Sequence, residues 1–189
     1  MNPLRRPPTR FAGRQSPFHS LLDGAGPVRQ SACHAQLVRV EAEAPALAER
    51  VRARLDAHTH KTIATLRRDG SPRISGIETE FRDGELWIGS MWQARKARDL
   101  QRDPRFALHS GSDEPQDWTG DAKLAGVAEE IIDPDRVKEA QSGEAPPGPS
   151  HLFRLDLREV STVALNDQRN GLVIEVWTPE GGVRTMQRA

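Results

Sequence analysis

Short β-prone runs separated by turn signals recur from Thr62 to Trp177, and that spacing is the tightest limit on what this chain can fold into. Thr62–Leu66 is rich in β-branched residues and ends in Arg68-Asp69-Gly70-Ser71-Pro72, a strong turn. Arg73–Phe81, Glu85–Gly89, Arg105–Ser110, Asp121–Ile132, Leu152–Leu157, Val160–Leu165 and Gly171–Trp177 follow, about eight strands in all. Helical periodicity is confined to connections. Pro45–His58 repeats Leu47, Val51 and Leu55 opposite Glu49, Arg50, Arg52 and Arg54, and Pro134–Gln141 reads as a shorter helix. This pattern favours a mainly β architecture, a closed or split β-barrel, over a parallel α/β sheet. Open strand edges in such a barrel need cover, so a homodimer is expected.

The most informative stretch is Arg73–Pro104. Asp83-Gly84 reads as a hairpin turn. The strand after it sets Leu86 and Ile88 against Trp87, the alternation of a half-buried strand. Within Arg73–Phe81 the apolar phase slips between Ile74 and Ile77. A bulge near Ser75-Gly76 would account for the slip, and a glycine there would let a planar ring approach the backbone. Gly126 likewise marks a tight corner or a close contact. Ser90–Gln93 then leads into a short basic helix stopped by Pro104. Arg95 and Lys96 add two cations to the unpaired backbone N–H groups of its first turn, the requirements of a phosphate site. The plainer reading of the pair is a solvated helix face. Of the four tryptophans, Trp92 is placed to stack near a ring, whereas Trp87, Trp118 and Trp177 suit core or interface.

The runs Arg73-Ile74-Ser75-Gly76-Ile77-Glu78 and Ser90-Met91-Trp92-Gln93-Ala94-Arg95-Lys96, followed by Leu100 and Asp103-Pro104, carry a wider likeness. They resemble the flavin-binding split-barrel family that includes pyridoxamine 5'-phosphate oxidase and the deazaflavin-dependent reductases. The resemblance implies a split β-barrel of the FMN-binding type over 35–189, with short peripheral helices. It also implies a homodimer that binds FMN, or a deazaflavin coenzyme, at its interface and passes hydride to or from a small organic substrate. The implied cofactor set is Arg73, Ile74, Ser75, Gly76, Gly89, Ser90, Met91, Trp92, Arg95 and Lys96. Arg73, Arg95 and Lys96 would hold the phosphate, with Ser75, Ser90 and Met91 along the ring and ribityl chain. No side chain need act as acid or base, because the cofactor supplies the chemistry. Two positions depart from the family pattern. Ala94 lacks the hydroxyl that the family's serine offers the phosphate, and Glu78 stands where the oxidase has a lysine for the substrate phosphate. The acid argues against pyridoxamine phosphate as substrate. FMN is the first expectation for the cofactor, and an open groove lined by Arg67, Arg68 and Arg98 would favour the acid-tailed deazaflavin.

The rest of the chain narrows the class. Residues 1–34 are rich in Arg, Pro, Gly and Ser and read as a flexible N-terminal arm, which Phe18, Leu21 and Leu22 could anchor on a partner subunit. Lysine plus arginine and aspartate plus glutamate both number 27, so no net charge favours nucleic acid or an anionic membrane. A lone cysteine, Cys33, and the lack of a long apolar run or leader pattern fit a cytoplasmic protein. His58 and His60 form an H-x-H pair without a third ligand at a recognisable spacing, so no metal is expected. The alternative to an enzyme is a non-catalytic split barrel holding a cofactor or haem, with His109 and His151 as candidate axial ligands. Neither a nucleophile elbow nor a nucleotide-binding glycine loop is present.

Overall fold

The structure, a computed structural model, describes residues 37–140 and 148–189. The arm expected over 1–34 lies outside these residues, as does most of the loop expected over Ser142–Pro149. The strands are β1 (Lys61–Leu66), β2 (Pro72–Ile77), β3 (Glu80–Arg82), β4 (Glu85–Met91), β5 (Arg105–His109), β6 (Asp121–Ile131), β7 (Ser150–Leu165), β8 (Leu172–Thr178) and β9 (Gly182–Arg188). The helices are α1 (Leu37–Glu43), α2 (Pro45–Asp56), α3 (Arg95–Arg102) and α4 (Pro134–Ala140). All strand pairings are antiparallel, in the order β2-β1-β5-β6-β7-β4-β3, with β8 and β9 branching from β7. The mainly β split-barrel architecture is therefore present.

Strand β7 is the spine. Its first half, Ser150–Leu155, lies between β4 and β6, and its second half, Val160–Leu165, lies between β6 and β8. The sequence splits this strand in two at the charged pair Arg158-Glu159. In the fold that pair marks a bulge: the register shifts where Ala125 faces Glu159 and Gly126 faces Leu157. Gly126 makes the close contact expected of it, because a Cβ there would collide with the carbonyl of Asp156.

The phase slip in Arg73–Phe81 has a different cause from the expected bulge. The β1–β2 register runs unbroken from Lys61–Ile77 to Leu66–Pro72. The chain then leaves β1 at Glu78-Thr79 and pairs with β4 as β3. Arg73, Ser75 and Ile77 share the more buried face of β2, and Ile74 and Gly76 the exposed one. Strand β4 also differs: Leu86, Trp87 and Ile88 are all buried, so its middle is covered on both faces. The Asp83-Gly84 turn is as expected, with φ of 52° and 76° at its two residues.

Helix α2 buries Leu47, Val51 and Leu55, the stripe visible in the sequence. Each fully buried aliphatic side chain of this kind contributes roughly 1.5–3 kcal/mol. Helix α1, which sequence periodicity does not reveal, packs through Leu37 and Val40. Its Glu43 accepts a 2.9 Å hydrogen bond from the indole of the fully buried Trp177. Among the described residues, no helix is long and apolar enough to cross a membrane.

Candidate cofactor site

Two clefts flank α3 and the strands beside it. The first, about 740 Å³, is lined by Gly76–Glu80, Trp87, Gly89–Trp92, Lys96, His151 and neighbouring residues. Its walls are the exposed face of β2 and the end of β4. On β4, alternation puts Trp87, Gly89 and Met91 on one face and Leu86, Ile88 and Ser90 on the other. A Cβ added at Gly76 or Gly89 would meet nothing within 4 Å. Backbone is therefore bare on both sides, and a flat ligand can approach it closely. Ser90 also lines this cleft, and its Oγ is buried without a hydrogen-bond partner among the described residues. An orphaned buried hydroxyl costs on the order of 1–3 kcal/mol, a penalty that a polar ligand edge would relieve. Glycine backbone, an unsatisfied hydroxyl and a nearby ammonium together fit a flavin-type ring with an anionic tail.

Lys96 is the cation of this cleft. Its Nζ donates to the carbonyl of Gly76, and burial lowers its pKa. Glu78 and His60 line the same cleft, with their side chains 3.5 Å apart. An acid there disfavours a second anion beside it.

The second cleft, about 950 Å³, is lined by Arg67, Arg68, Arg73, Arg95, Arg98 and Arg102 with Asp69, Asp99 and Gln101. Consecutive helix residues point about 100° apart, and Arg95 and Lys96 line different clefts. Arg73 is held to Asp99 through its Nε at 2.6 Å. Asp99 also accepts from Arg102 at 2.9 Å and from Thr65 at 3.1 Å. Burial alone would raise the Asp99 pKa, but these three donors outweigh it and hold the carboxyl below its usual range.

Of the residues expected to hold cofactor, Gly76, Gly89, Ser90, Met91, Trp92 and Lys96 meet in the first cleft. Arg73 and Arg95 lie in the second, beside the Arg67, Arg68 and Arg98 named for an acidic tail. Ile74 and Ser75 line neither cleft: Ile74 is exposed, and Ser75 is on the opposite face of β2 from Gly76. Sequence reasoning missed the tie between Arg73 and Asp99. The signal was a lone acid in a basic helix, one residue before the buried Leu100.

The histidines are tied down locally. His109 Nδ1 accepts from the N–H of Gly111 at 3.1 Å, and its Nε2 is 3.6 Å from Asp121. His151 Nε2 accepts from the N–H of Gln93 at 3.2 Å, and its Nδ1 lies 2.6 Å from Glu130. Axial ligation of haem by either ring would first have to break one of these contacts. His58 pairs with Asp113 at 3.0 Å, and His60 with Glu78, so the H-x-H residues serve separate partners. Among the described residues, no group of three His, Cys, Asp or Glu side chains could hold a metal.

The pyridoxamine 5'-phosphate oxidase family profile matches residues 47–164. No curated protein matches the chain. Among solved structures, it is similar to an FMN-binding, pyridoxamine 5'-phosphate oxidase-related protein from Nostoc punctiforme. That pair shares 14% identity over 75% of this chain and 94% of the other, with a TM-score of 0.54. It is also similar to PhzG from Burkholderia lata, solved in complex with tetrahydrophenazine-1-carboxylic acid (14% identity, 81% and 92% covered, TM-score 0.52). A haem-binding protein from Mycobacterium smegmatis is similar as well (18% identity, 77% and 88% covered, TM-score 0.52). At these identities the structural likeness concerns the fold.

Proposed function

The chain belongs to the pyridoxamine 5'-phosphate oxidase family, and from that premise we propose that it is an oxidoreductase that holds a flavin-type cofactor in the glycine-lined cleft. Its substrate is a small organic molecule other than pyridoxamine phosphate. The observation that carries this reading is the bare backbone at Gly76 and Gly89 beside the partnerless Ser90 hydroxyl. When bound, such a cofactor supplies hydride transfer. Gly76 and Gly89 admit the ring edge, Ser90 offers it a hydrogen bond, and Lys96 at the start of α3 meets the anionic end. Trp92 and Met91 cover a ring face and exclude water. A second copy of the chain completes the cover: Ile74 and Met91 are each 75% exposed and Trp92 54%, large apolar surfaces that a dimer would bury.

The family favours FMN. The grouping of Arg67, Arg68 and Arg98 with Arg73 and Arg95 in one cleft favours a cofactor with several negative charges, a deazaflavin with an acidic tail. Titration with FMN and with the acid-tailed deazaflavin tests the reading and separates the two. If the tail lies in the arginine cleft, Arg67→Ala/Arg68→Ala/Arg98→Ala weakens the deazaflavin about tenfold and spares FMN, since exposed ion pairs are worth roughly 0.2–1 kcal/mol each. Equal losses for both ligands contradict the acidic-tail assignment, and a wild-type protein that binds neither contradicts the function.

A further inference from the structure

Trp92 stands more than half exposed in a tight turn, where the amide of Ala94 bonds back to the carbonyl of Met91 at 3.1 Å. Gln93, its neighbour, has φ of 58°, a left-handed conformation that a non-glycine residue keeps only when its surroundings impose it. His151 imposes it. The Gln93 N–H donates to His151 Nε2 at 3.2 Å, which makes that nitrogen an acceptor and leaves the proton on Nδ1. Nδ1 in turn faces Glu130 at 2.6 Å, and Glu130 is held by Gln101 of α3 at 2.9 and 3.1 Å. The imidazole is 5% exposed and lies under the Trp92 indole, with ring centres 4.8 Å apart and planes within 10°. One face of the indole is thus backed by a fixed ring, and Trp92 lines the glycine cleft. Nothing in the hydride chemistry uses this buried histidine, and both its nitrogens are already committed.

We propose that His151, oriented by Glu130, is the positioning residue that fixes Trp92 as a preformed stacking wall for the ring of the bound ligand. A stack assembled before binding spares the ligand the entropy of ordering an exposed tryptophan. The inference rests on the flavin-type reading above.

Riboflavin and FMN are the probes, titrated into the full chain while flavin emission is followed. Trp92→Ala and His151→Ala should each weaken both ligands by the same factor, about three- to tenfold for loss of one aromatic stack. The double variant should fall no further than either single one. Riboflavin bound to wild type should be quenched by the adjacent indole and regain emission in both variants. His151→Phe, which keeps a ring under Trp92, should recover most of the affinity and the quenching. Should His151→Ala not fold, Glu130→Gln makes the same comparison, with a smaller loss shared equally by riboflavin and FMN. If wild type binds flavin but the variants match it within about twofold, or the two losses add fully, the inference is overturned and the proposed function stands. Wild type that takes up no flavin overturns both.

Discussion

Asp99→Ala is expected to remove about 3–5 kcal/mol of folding stability, the cost of breaking a buried charge network by deleting one partner. The carboxylate is 4% exposed and accepts from Arg73, Arg102 and Thr65. Without it, the Arg73 guanidinium remains largely buried with no counter-charge from α3. Arg102, about a third exposed, recovers part of its loss from water, which puts the expected value toward the lower end. The network also ties β1, β2 and α3 together, so the arginine cleft should loosen with it. The pH dependence has a definite sign. Asp99 has a depressed folded-state pKa, so its contribution is fully present above the unfolded value of about 3.9 and is lost as pH falls through the lower folded value. Asp99→Asn keeps the shape but carries no charge, and its stability should change less than that of wild type below about pH 4. Denaturant unfolding of wild type and both variants at neutral and acid pH measures these differences. An Asp99→Ala protein within about 1 kcal/mol of wild type at neutral pH would contradict the network's role.

Removing both cations from the first turn of α3 should have the largest effect on binding. Arg95→Ala/Lys96→Ala is expected to weaken FMN by at least about a hundredfold, since charge-assisted hydrogen bonds run at roughly 1.5–3 kcal/mol each. Riboflavin carries no phosphate and should bind the variant as it binds wild type. The single variants add a geometric reading, because Lys96 lines the glycine cleft and exposed Arg95 lines the arginine cleft. A phosphate at the helix start that bridges the two clefts requires both residues. A phosphate held within the glycine cleft makes Lys96→Ala as damaging as the double substitution and Arg95→Ala harmless. Burial already lowers the Lys96 pKa, so a bound anion should raise it. Parallel losses of FMN and riboflavin would contradict the assignment of these cations to a phosphate.

What the sequence reveals here is what local chemistry decides. The Asp83-Gly84 turn, the stripe on α2, and a basic helix ended before Pro104 are readable because turn and stop signals act within a few residues. What it hides depends on partners far along the chain. Strands β2 and β3 read as one because the switch from β1 to β4 happens in space, while the sequence stays β-prone across Glu78-Thr79. Arg158-Glu159 looks like a break because exposed charges mark both loops and bulges. Strand β9 goes unseen because Arg184, Thr185 and Gln187 carry little apolar pattern, although Pro179-Glu180-Gly181-Gly182 is a fair hairpin signal. The glycine cleft is legible at Gly76, Gly89 and Ser90 through the family resemblance. The sequence assigns Arg95 and Lys96 to one phosphate, whereas in the fold they line different clefts, because the walls around α3 come from distant strands and turns. The bonds of His151 to Gln93 and Glu130 likewise cross between strands and turns, and no spacing in the sequence announces them.

Gly89→Leu is the sharpest test of a flat ligand lying against the bare backbone of β2 and β4. A Cβ at this position meets nothing within 4 Å, and Gly89 lines the cleft, so Leu should take up the ligand's space with little change in thermal stability. Equilibrium titration of FMN into wild type and Gly89→Leu, with melting curves of both, is the measurement. Saturable binding to wild type and at least about a hundredfold loss in an equally stable variant are expected, the scale of a steric block in a packed site. A Gly89→Leu protein that binds FMN as wild type does would contradict that placement of the ligand.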